Sequence, residues 1–332
     1  MHTISHAATR ARQAAKRIAQ HIERTPMQRS VAFSGKLGAD VYFKLENRQL
    51  TGSFKFRGAT NRLLTLSDQE RAQGCVAASS GNHGAAVACA MQELGVKGVI
   101  FVPEQTSSAK VEKIEAYGGD VRFFGTDGLD TEQHARAFAE QNGMFYLSPY
   151  NDEEVMAGQG SCGVEIVEDL PDVDAVFIAV GGGGLIGGIG AVLKDHDPGI
   201  QVIGCQPMAS PVMARSVEAG EIIDMPSETT LSDGTAGGIE EDALTFPLNQ
   251  AVVDDWVLAK EEQIAMAMCL YMETEEDVIE GAAGVAVAGL LERRNEVAAK
   301  KVVVVICGGN ISEETMQKAR SLCGTKPAVG NS

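Results

Sequence analysis

Short apolar runs rich in valine and isoleucine recur along the chain, most of them followed by a stretch with helical spacing of apolar positions. ADVYFKLE (39–46), GCVAAS (74–79), VKGVIFVPE (96–104) and DVRFFG (120–125) predict strands, and GMFYLSPY (143–150) closes this group. VDAVFIAVG (173–181), IQVIGCQP (200–207) and KVVVVICGG (301–309) predict three more. SFKFRGATNRLLTLS, GAAVACAMQELG, SSAKVEKIEAYG, LDTEQHARAFAEQNG, GGGLIGGIGAVLKDHD and SEETMQKARSL have the spacing of helices, and METEEDVIEGAAG (272–284) reads as an acidic one. Strand followed by helix, repeated, is the pattern of parallel strands joined by crossover helices, so the fold class is α/β. Residues 66–150 read as a compact small domain of such units. It is inserted into a larger domain expected to combine residues 1–65 and 151–332.

At 332 residues, 44% of them apolar, the chain has ample material for a buried core. A net charge of −17 argues against general nucleic-acid binding and against docking on anionic membranes. An anionic ligand therefore needs locally placed donors. The seven cysteines (Cys75, Cys89, Cys162, Cys205, Cys269, Cys307, Cys323) are odd in number and contain no C-x-x-C. That excludes a disulfide framework and a zinc site and suits a reducing cytoplasm. No apolar run reaches membrane-spanning length. The opening HAATRARQAAKRIAQHIERT is basic and amphipathic, but poor in serine and continuous with TPMQRS, so it reads as a first helix rather than a transit peptide.

AVGGGGLIGGIG follows a strand and opens a helix. Gly181, Gly182, Gly183 and Gly184 let backbone N–H groups converge at a positive helix terminus, which makes an anion site. The same turn packed tightly on a sheet is the plainer reading, but four consecutive glycines cost too much conformational entropy for packing alone. Gly182, Gly184 and Gly187 also match the dinucleotide pattern G-x-G-x-x-G. The next strand, however, ends in Cys-Gln-Pro where a ribose-binding acid should stand, so a single phosphate on a smaller cofactor fits better.

TGSFKFRGA (51–59) sets Lys55 between Phe54 and Phe56. An ammonium held in a pocket is costly, so such a lysine is paired, neutral or covalently modified. A lysine among aromatics, a single-phosphate cradle, and the polar loops SSGNHG (79–84) and CGGN (307–310) near strand ends together suggest pyridoxal phosphate held as a Schiff base. The segments RTP, KLENRQLTGSFKFRGA, SSGNHG, VIFVPEQ, AGQG, GGGGLIGG and CGGN follow one another in family order. Over nearly its whole length the chain resembles the fold-type II pyridoxal-phosphate enzymes, specifically the threonine/serine dehydratase and serine racemase family.

The resemblance implies a tryptophan synthase β-like fold of two α/β domains, a cofactor in the cleft between them, and a homodimer. It implies that Lys55 is the Schiff-base lysine and the base for the α-proton, with Phe54 and Phe56 shaping a dry pocket and Phe54 lining the cofactor ring. Asn82 is expected on the pyridine 3-oxygen. Gly181, Gly182, Gly183 and Gly184 with Leu185 would cradle the phosphate. The loop Ser79, Ser80, Gly81, Asn82 and His83 would grip the substrate carboxylate. Cys307 stands where the family usually has Ser or Thr facing the ring nitrogen; a neutral thiol there, like a hydroxyl, does not hold that nitrogen protonated. Ser80 resembles the acid/base of the racemase branch, or it serves only as a loop hydrogen-bonder. Gln206 replaces a carboxylate of that branch's divalent-cation site, so no metal is expected. Arg57 is expected to pair with a carboxylate, Ser53 to cap the helix entered at Lys55, His83 to order its loop, and His134 to be a solvated helix residue. Glu280 could approach the ring.

The expected reaction is α,β-elimination of water from a small β-hydroxy-α-amino acid such as L-threonine or L-serine, giving a 2-oxo acid and ammonia. The runner-up is racemisation through Lys55 and Ser80. A nicotinamide-dependent dehydrogenase using the Gly181–Gly187 run is a rival of another class. In a non-catalytic amino-acid-binding module, the third reading, Lys55 would have no purpose.

Overall fold

The computed structural model of the protein describes residues 3–324. The first half runs α1 (Ile4–Ile18), β1 (Met27–Arg29), α2 (Val31–Leu37), β2 (Asp40–Lys44), α3 (Lys55–Leu64), α4 (Asp68–Gln73), β3 (Cys75–Ala78), α5 (Asn82–Leu94), β4 (Gly98–Val102), α6 (Ser108–Ala116), β5 (Asp120–Phe123), α7 (Gly128–Asn142) and β6 (Phe145–Tyr146). It continues with α8 (Glu153–Asp169), β7 (Ala175–Ala179), α9 (Gly184–His196), β8 (Gln201–Pro207), α10 (Val212–Ala219), α11 (Thr245–Val252), β9 (Asp255–Ala259), α12 (Glu261–Glu275), α13 (Gly281–Glu292), β10 (Lys301–Val305) and α14 (Glu313–Leu322).

The strands form two sheets, one of six in the order β1-β2-β10-β7-β8-β9 and one of four in the order β5-β4-β3-β6. Every pairing is parallel except β1 with β2. The central strands of the large sheet are buried, which is why they read as unbroken Val/Ile runs rather than as alternating ones. Helix α13 packs on β7, β8, β9 and β10, and α9 packs on β7 and β8. Helix α1 buries Ala8, Ala11, Ala14 and Ile18 and packs on α8 and α9. No helix among the described residues is long and apolar enough to cross a membrane.

Helix α3 joins the two sheets. Its Phe56, Ala59 and Leu63 belong to the core of the four-stranded sheet, while its opposite side packs on α8. Helix α8 has no counterpart among the predicted helices, because its glycines weaken the helical signal. Close packing explains one of them: a Cβ at Gly158 would lie 2.6 Å from the Arg57 carbonyl oxygen.

Two further differences have physical causes. METEEDVIEGAAG is not one helix: α12 stops at Glu275, Glu276 turns left-handed (φ 52°), and α13 starts anew at Gly281. Cys269 and Cys323 form a disulfide, contrary to the expectation from cysteine count and spacing. They are 54 residues apart in sequence and meet only because α14 packs along α12. The other five cysteines are free and buried.

Candidate active site

The start of α3 is zipped to the end of β10. Ser53 bridges Gly308, the Phe54 N–H donates to the Cys307 carbonyl (3.0 Å), and the Gly309 N–H donates to that of Gly52 (3.0 Å). This bridge sets Lys55 and Cys307 on one wall of a cleft. Ser53 is therefore not the helix cap. Phe54 takes that position, and the Ser53 hydroxyl is buried without a hydrogen-bond partner among the described residues. The two phenylalanines also diverge: the Phe54 ring lies 5.1 Å from Lys55 Nζ at the cleft, whereas Phe56 points into the core.

Lys55 Nζ donates to the Pro149 carbonyl at 2.8 Å. Part of its side chain remains reachable through the cleft, but burial dominates its electrostatics and brings the ammonium down to about 8, against the opposing pull of Cys307 and Glu280. Cys307 is itself buried, which holds its thiol well above the ordinary value and keeps it neutral.

Ser79, Ser80, Gly81, Asn82 and His83 form the turn that opens α5, and all five line the cleft. Inside the turn it is Ser79 that accepts from the Gly81 N–H (3.1 Å), while the Ser80 hydroxyl makes no hydrogen bond among the described residues. His83 is buried with Nε2 3.0 Å from the Leu147 carbonyl, and burial with the nearby Lys55 charge lowers it to about 3. Its neutral ring donates to that carbonyl and ties the loop to the end of β6.

The Asn82 amide donates to both oxygens of Glu280 (2.9 Å each), and its own oxygen accepts from Asn310 Nδ2 (2.6 Å). Asn310 also gives its backbone N–H to Glu280 (3.1 Å) and accepts from Lys113 of α6. Burial raises the Glu280 carboxyl to about 7, partly offset by the Asn82 and Asn310 donors. Glu280 thus titrates near neutral pH, within a chain of hydrogen bonds that crosses from the large sheet to the small one. The sequence located Glu280 and Asn82 but not their bond.

Gly181, Gly182, Gly183, Gly184 and Leu185 line the same cleft as Lys55, where α9 begins. Gly183 is left-handed (φ 83°), and a Cβ there would overlap the buried Asn249 amide. The cleft encloses about 1370 Å³, ample for a cofactor with a small substrate. Gly183→Ala is expected to strain this turn and to lower retention of a phosphate-bearing cofactor at least tenfold, measured by dialysis followed by absorbance.

Other sequence expectations fall elsewhere in the molecule. The two ends of the Gln206 amide serve the Val180 carbonyl (3.1 Å) and the Ala214 N–H (2.8 Å), tying β8 to its neighbours. His134 is a half-exposed residue of α7 that also packs: it stacks on Phe124 (3.6 Å between ring centroids) and meets the edge of Phe101 (4.9 Å). Arg57 does pair with carboxylates, and it is completely buried in doing so: Nε lies 2.7 Å from Glu46 and Nη1 2.7 Å from Glu165. Tyr150 was missed. Its hydroxyl accepts from the Glu240 N–H at 3.0 Å, its ring packs on Gly182 and its backbone and Cβ on Gly184, contacts only the folded arrangement reveals.

The family model described as "Pyridoxal-phosphate dependent enzyme" matches residues 18–308. An L-threonine ammonia-lyase of Thermotoga maritima is 41% identical over 290 residues, covering 87% of this chain and 72% of that one. The catabolic L-threonine dehydratase TdcB of Escherichia coli is 39% identical over 303 residues, covering 90% and 91%. Among solved structures, threonine deaminase isoform 2 from Solanum lycopersicum superposes with a TM-score of 0.91 at 31% identity, over 96% of this chain and 93% of that one. Maize serine racemase gives 0.88 at 30%, over 95% and 96%. The chain belongs to the pyridoxal-phosphate dependent enzymes, with the fold of the fold-type II members, and the dehydrogenase reading of the glycine run is set aside.

The residues present fit pyridoxal phosphate. The cleft offers one lysine of depressed basicity, a glycine turn at a helix N-terminus that a side chain would fill, and an aromatic ring beside the lysine.

Proposed function

We propose that the protein is an ammonia-lyase that removes water from a β-hydroxy-α-amino acid, L-threonine or L-serine, and releases a 2-oxo acid and ammonia. The observation that carries this reading is the placement of Lys55 in one cleft with two helix N-termini, those of α5 and α9. One of these anion sites suits a substrate carboxylate and the other a cofactor phosphate. The names of the relatives support threonine as substrate.

Pyridoxal phosphate, when bound, supplies the carbonyl that joins the substrate amine and draws electrons from its α-carbon. The backbone of Ser79–His83 holds the substrate carboxylate. Lys55 Nζ, once free, takes the α-proton; a basicity near 8 leaves a useful neutral fraction at physiological pH. The neutral Cys307 thiol lines the cleft; at the ring nitrogen it would place no negative charge, and so would favour loss of the β-hydroxyl over slower side reactions. Gly181–Gly184 and Leu185 would hold the phosphate, Phe54 would flank the ring, and Asn82, bonded to Glu280 and Asn310 in this structure, would turn its amide to the 3-oxygen. The chain acts as a homodimer in the cytoplasm, in keeping with its family resemblance.

Screening β-hydroxy amino acids for 2-oxo acid and ammonia tests the reading; a protein that yields neither from L-threonine nor L-serine would overturn it. The runner-up, racemisation, is favoured by the unpartnered Ser80 hydroxyl at the cleft. Ser80→Ala is expected to abolish conversion of L-serine to D-serine while sparing most of the ammonia release. Equal loss of both, or of neither, would remove the special role of Ser80.

A further inference from the structure

Beyond Lys55 the cleft is lined by Pro149 and Tyr150, with Asn151 next in the chain. Pro149 takes the Lys55 hydrogen bond, the Tyr150 hydroxyl takes the Glu240 N–H, and Asn151 Nδ2 donates to Glu240 Oε2 at 2.9 Å. Glu240 lies in the long connection between α10 and α11, on the large-sheet side. Its Oε2 is also 3.0 Å from Arg136 Nη2, on α7 of the small sheet. Arg136 is bound a second time on its own helix, where Glu132 Oε1 lies 2.7 Å from Nη2 and 3.0 Å from Nε. Its guanidinium also lies over the Tyr146 ring, 4.3 Å from the centroid. All three charged residues line the cleft.

We propose that the Arg136–Glu132–Glu240 cluster sets the substrate class. It closes the far wall of the cleft with its one arginine already neutralised, admitting β-hydroxy amino acids with uncharged side chains and rejecting those with a second carboxylate. The inference rests on the amino-acid lyase reading and narrows it.

The physical argument is one of charge. An acidic side chain entering the cleft needs a cation with free donors. Arg136 faces two carboxylates, and a third anion would leave one positive charge shared among three negative ones. Lys55 is committed to the cofactor. Lys110 is exposed at the mouth, where water screens it. Across the whole lining, seven carboxylates (Glu132, Glu221, Asp224, Asp233, Glu240, Glu241, Glu280) stand against the three cations Lys55, Lys110 and Arg136. Even with Glu280 set aside, since burial lifts its carboxyl to about 7, carboxyl groups outnumber the cations two to one, and a cofactor phosphate would add to the negative side. A threonine methyl or a serine hydrogen meets none of this repulsion.

The test uses the holoenzyme. With L-threonine, L-serine and L-threo-3-hydroxyaspartate as substrates, kcat/KM for the hydroxyaspartate is expected at least 100-fold below that for L-threonine. Glu240→Gln and Glu132→Gln each remove one anion beside Arg136 while keeping an acceptor oxygen. Each is expected to narrow that ratio about tenfold. Binding of L-aspartate and of L-2-aminobutyrate, neither of which has a β-hydroxyl, is read in parallel by calorimetry. L-aspartate should bind at least tenfold more weakly, and the gap should shrink in both variants. Hydroxyaspartate turnover within tenfold of threonine, or ratios unmoved in both variants at unchanged circular dichroism, would overturn the proposal. Absence of turnover with every β-hydroxy amino acid would overturn the lyase reading instead, and the two calorimetric ligands would still decide the charge argument.

Discussion

Lys55→Ala is expected to yield a folded protein without the visible absorbance of lysine-bound pyridoxal phosphate and with turnover reduced at least 10⁴-fold. The fold should survive because, among the described residues, Lys55 contributes no ion pair and only one side-chain hydrogen bond, to the Pro149 carbonyl. Its backbone neighbours are held independently by the bridge to β10, through the Phe54 N–H and the Gly52 carbonyl. Truncation therefore removes chemistry and leaves the frame. The spectrum separates the two functions of the residue: loss of colour reports the covalent link, and loss of α-proton exchange reports the base. A variant that keeps wild-type colour and turnover would place the reactive amine elsewhere. Unchanged circular dichroism shows that the loss is not one of folding.

The parts legible in the sequence were those in which one residue type has one physical reason to be present. Val302–Val305 reads as a strand because burial on both faces demands an unbroken apolar run. Gly181–Gly184 reads as an anion turn because nothing else repays four glycines in succession. The lysine, the asparagine loop and CGGN were legible as motifs, and the fold brings them to one cleft as the family resemblance implies. Illegible were the features created by pairing across long separations. Glu165 and Glu46 lie 108 and 11 residues from Arg57, and no periodicity marks either as its partner. The same holds for Cys269 with Cys323, and for Arg136 with Glu240. Ser53 failed as a cap for a related reason: the strand-like bridge to Gly308 outcompeted local capping geometry. The break at Glu276 was hidden because helix-forming residues continue through it on both sides.

Arg57→Met is expected to cost about 3–5 kcal/mol of stability, because it leaves buried carboxylates without their main counter-charge. The wild-type network is nearly closed: Arg57 binds Glu46 through Nε and Nη2 (2.7 and 2.8 Å) and Glu165 through Nη1 and Nη2 (2.7 and 2.9 Å). Lys44 donates to Glu165 and to the Thr25 carbonyl, and Thr25 donates to Glu46. Burial alone would raise the Glu46 carboxyl, but the Arg57 charge and hydrogen bonds, with Lys44 and Thr25, outweigh it and hold it below the ordinary carboxylate value. In the wild type, Glu46 therefore contributes stability above the unfolded-state pKa, and that contribution fades as pH falls through the lower folded-state value. In Arg57→Met the sign reverses, since a buried carboxyl without its arginine binds a proton more readily folded than unfolded. The deficit should then shrink on acidification from pH 8 to pH 5.5, when followed by denaturant unfolding. Adding Glu46→Gln should recover part of the loss, because the damage lies in the stranded charge rather than in lost volume. Arg57 sits one residue beyond Phe56 on the first turn of α3, so the network also fixes where Lys55 projects. The surviving Arg57→Met holoenzyme should accordingly lose kcat more than KM. A variant as stable as wild type at pH 8 would show that Lys44 alone balances both carboxylates.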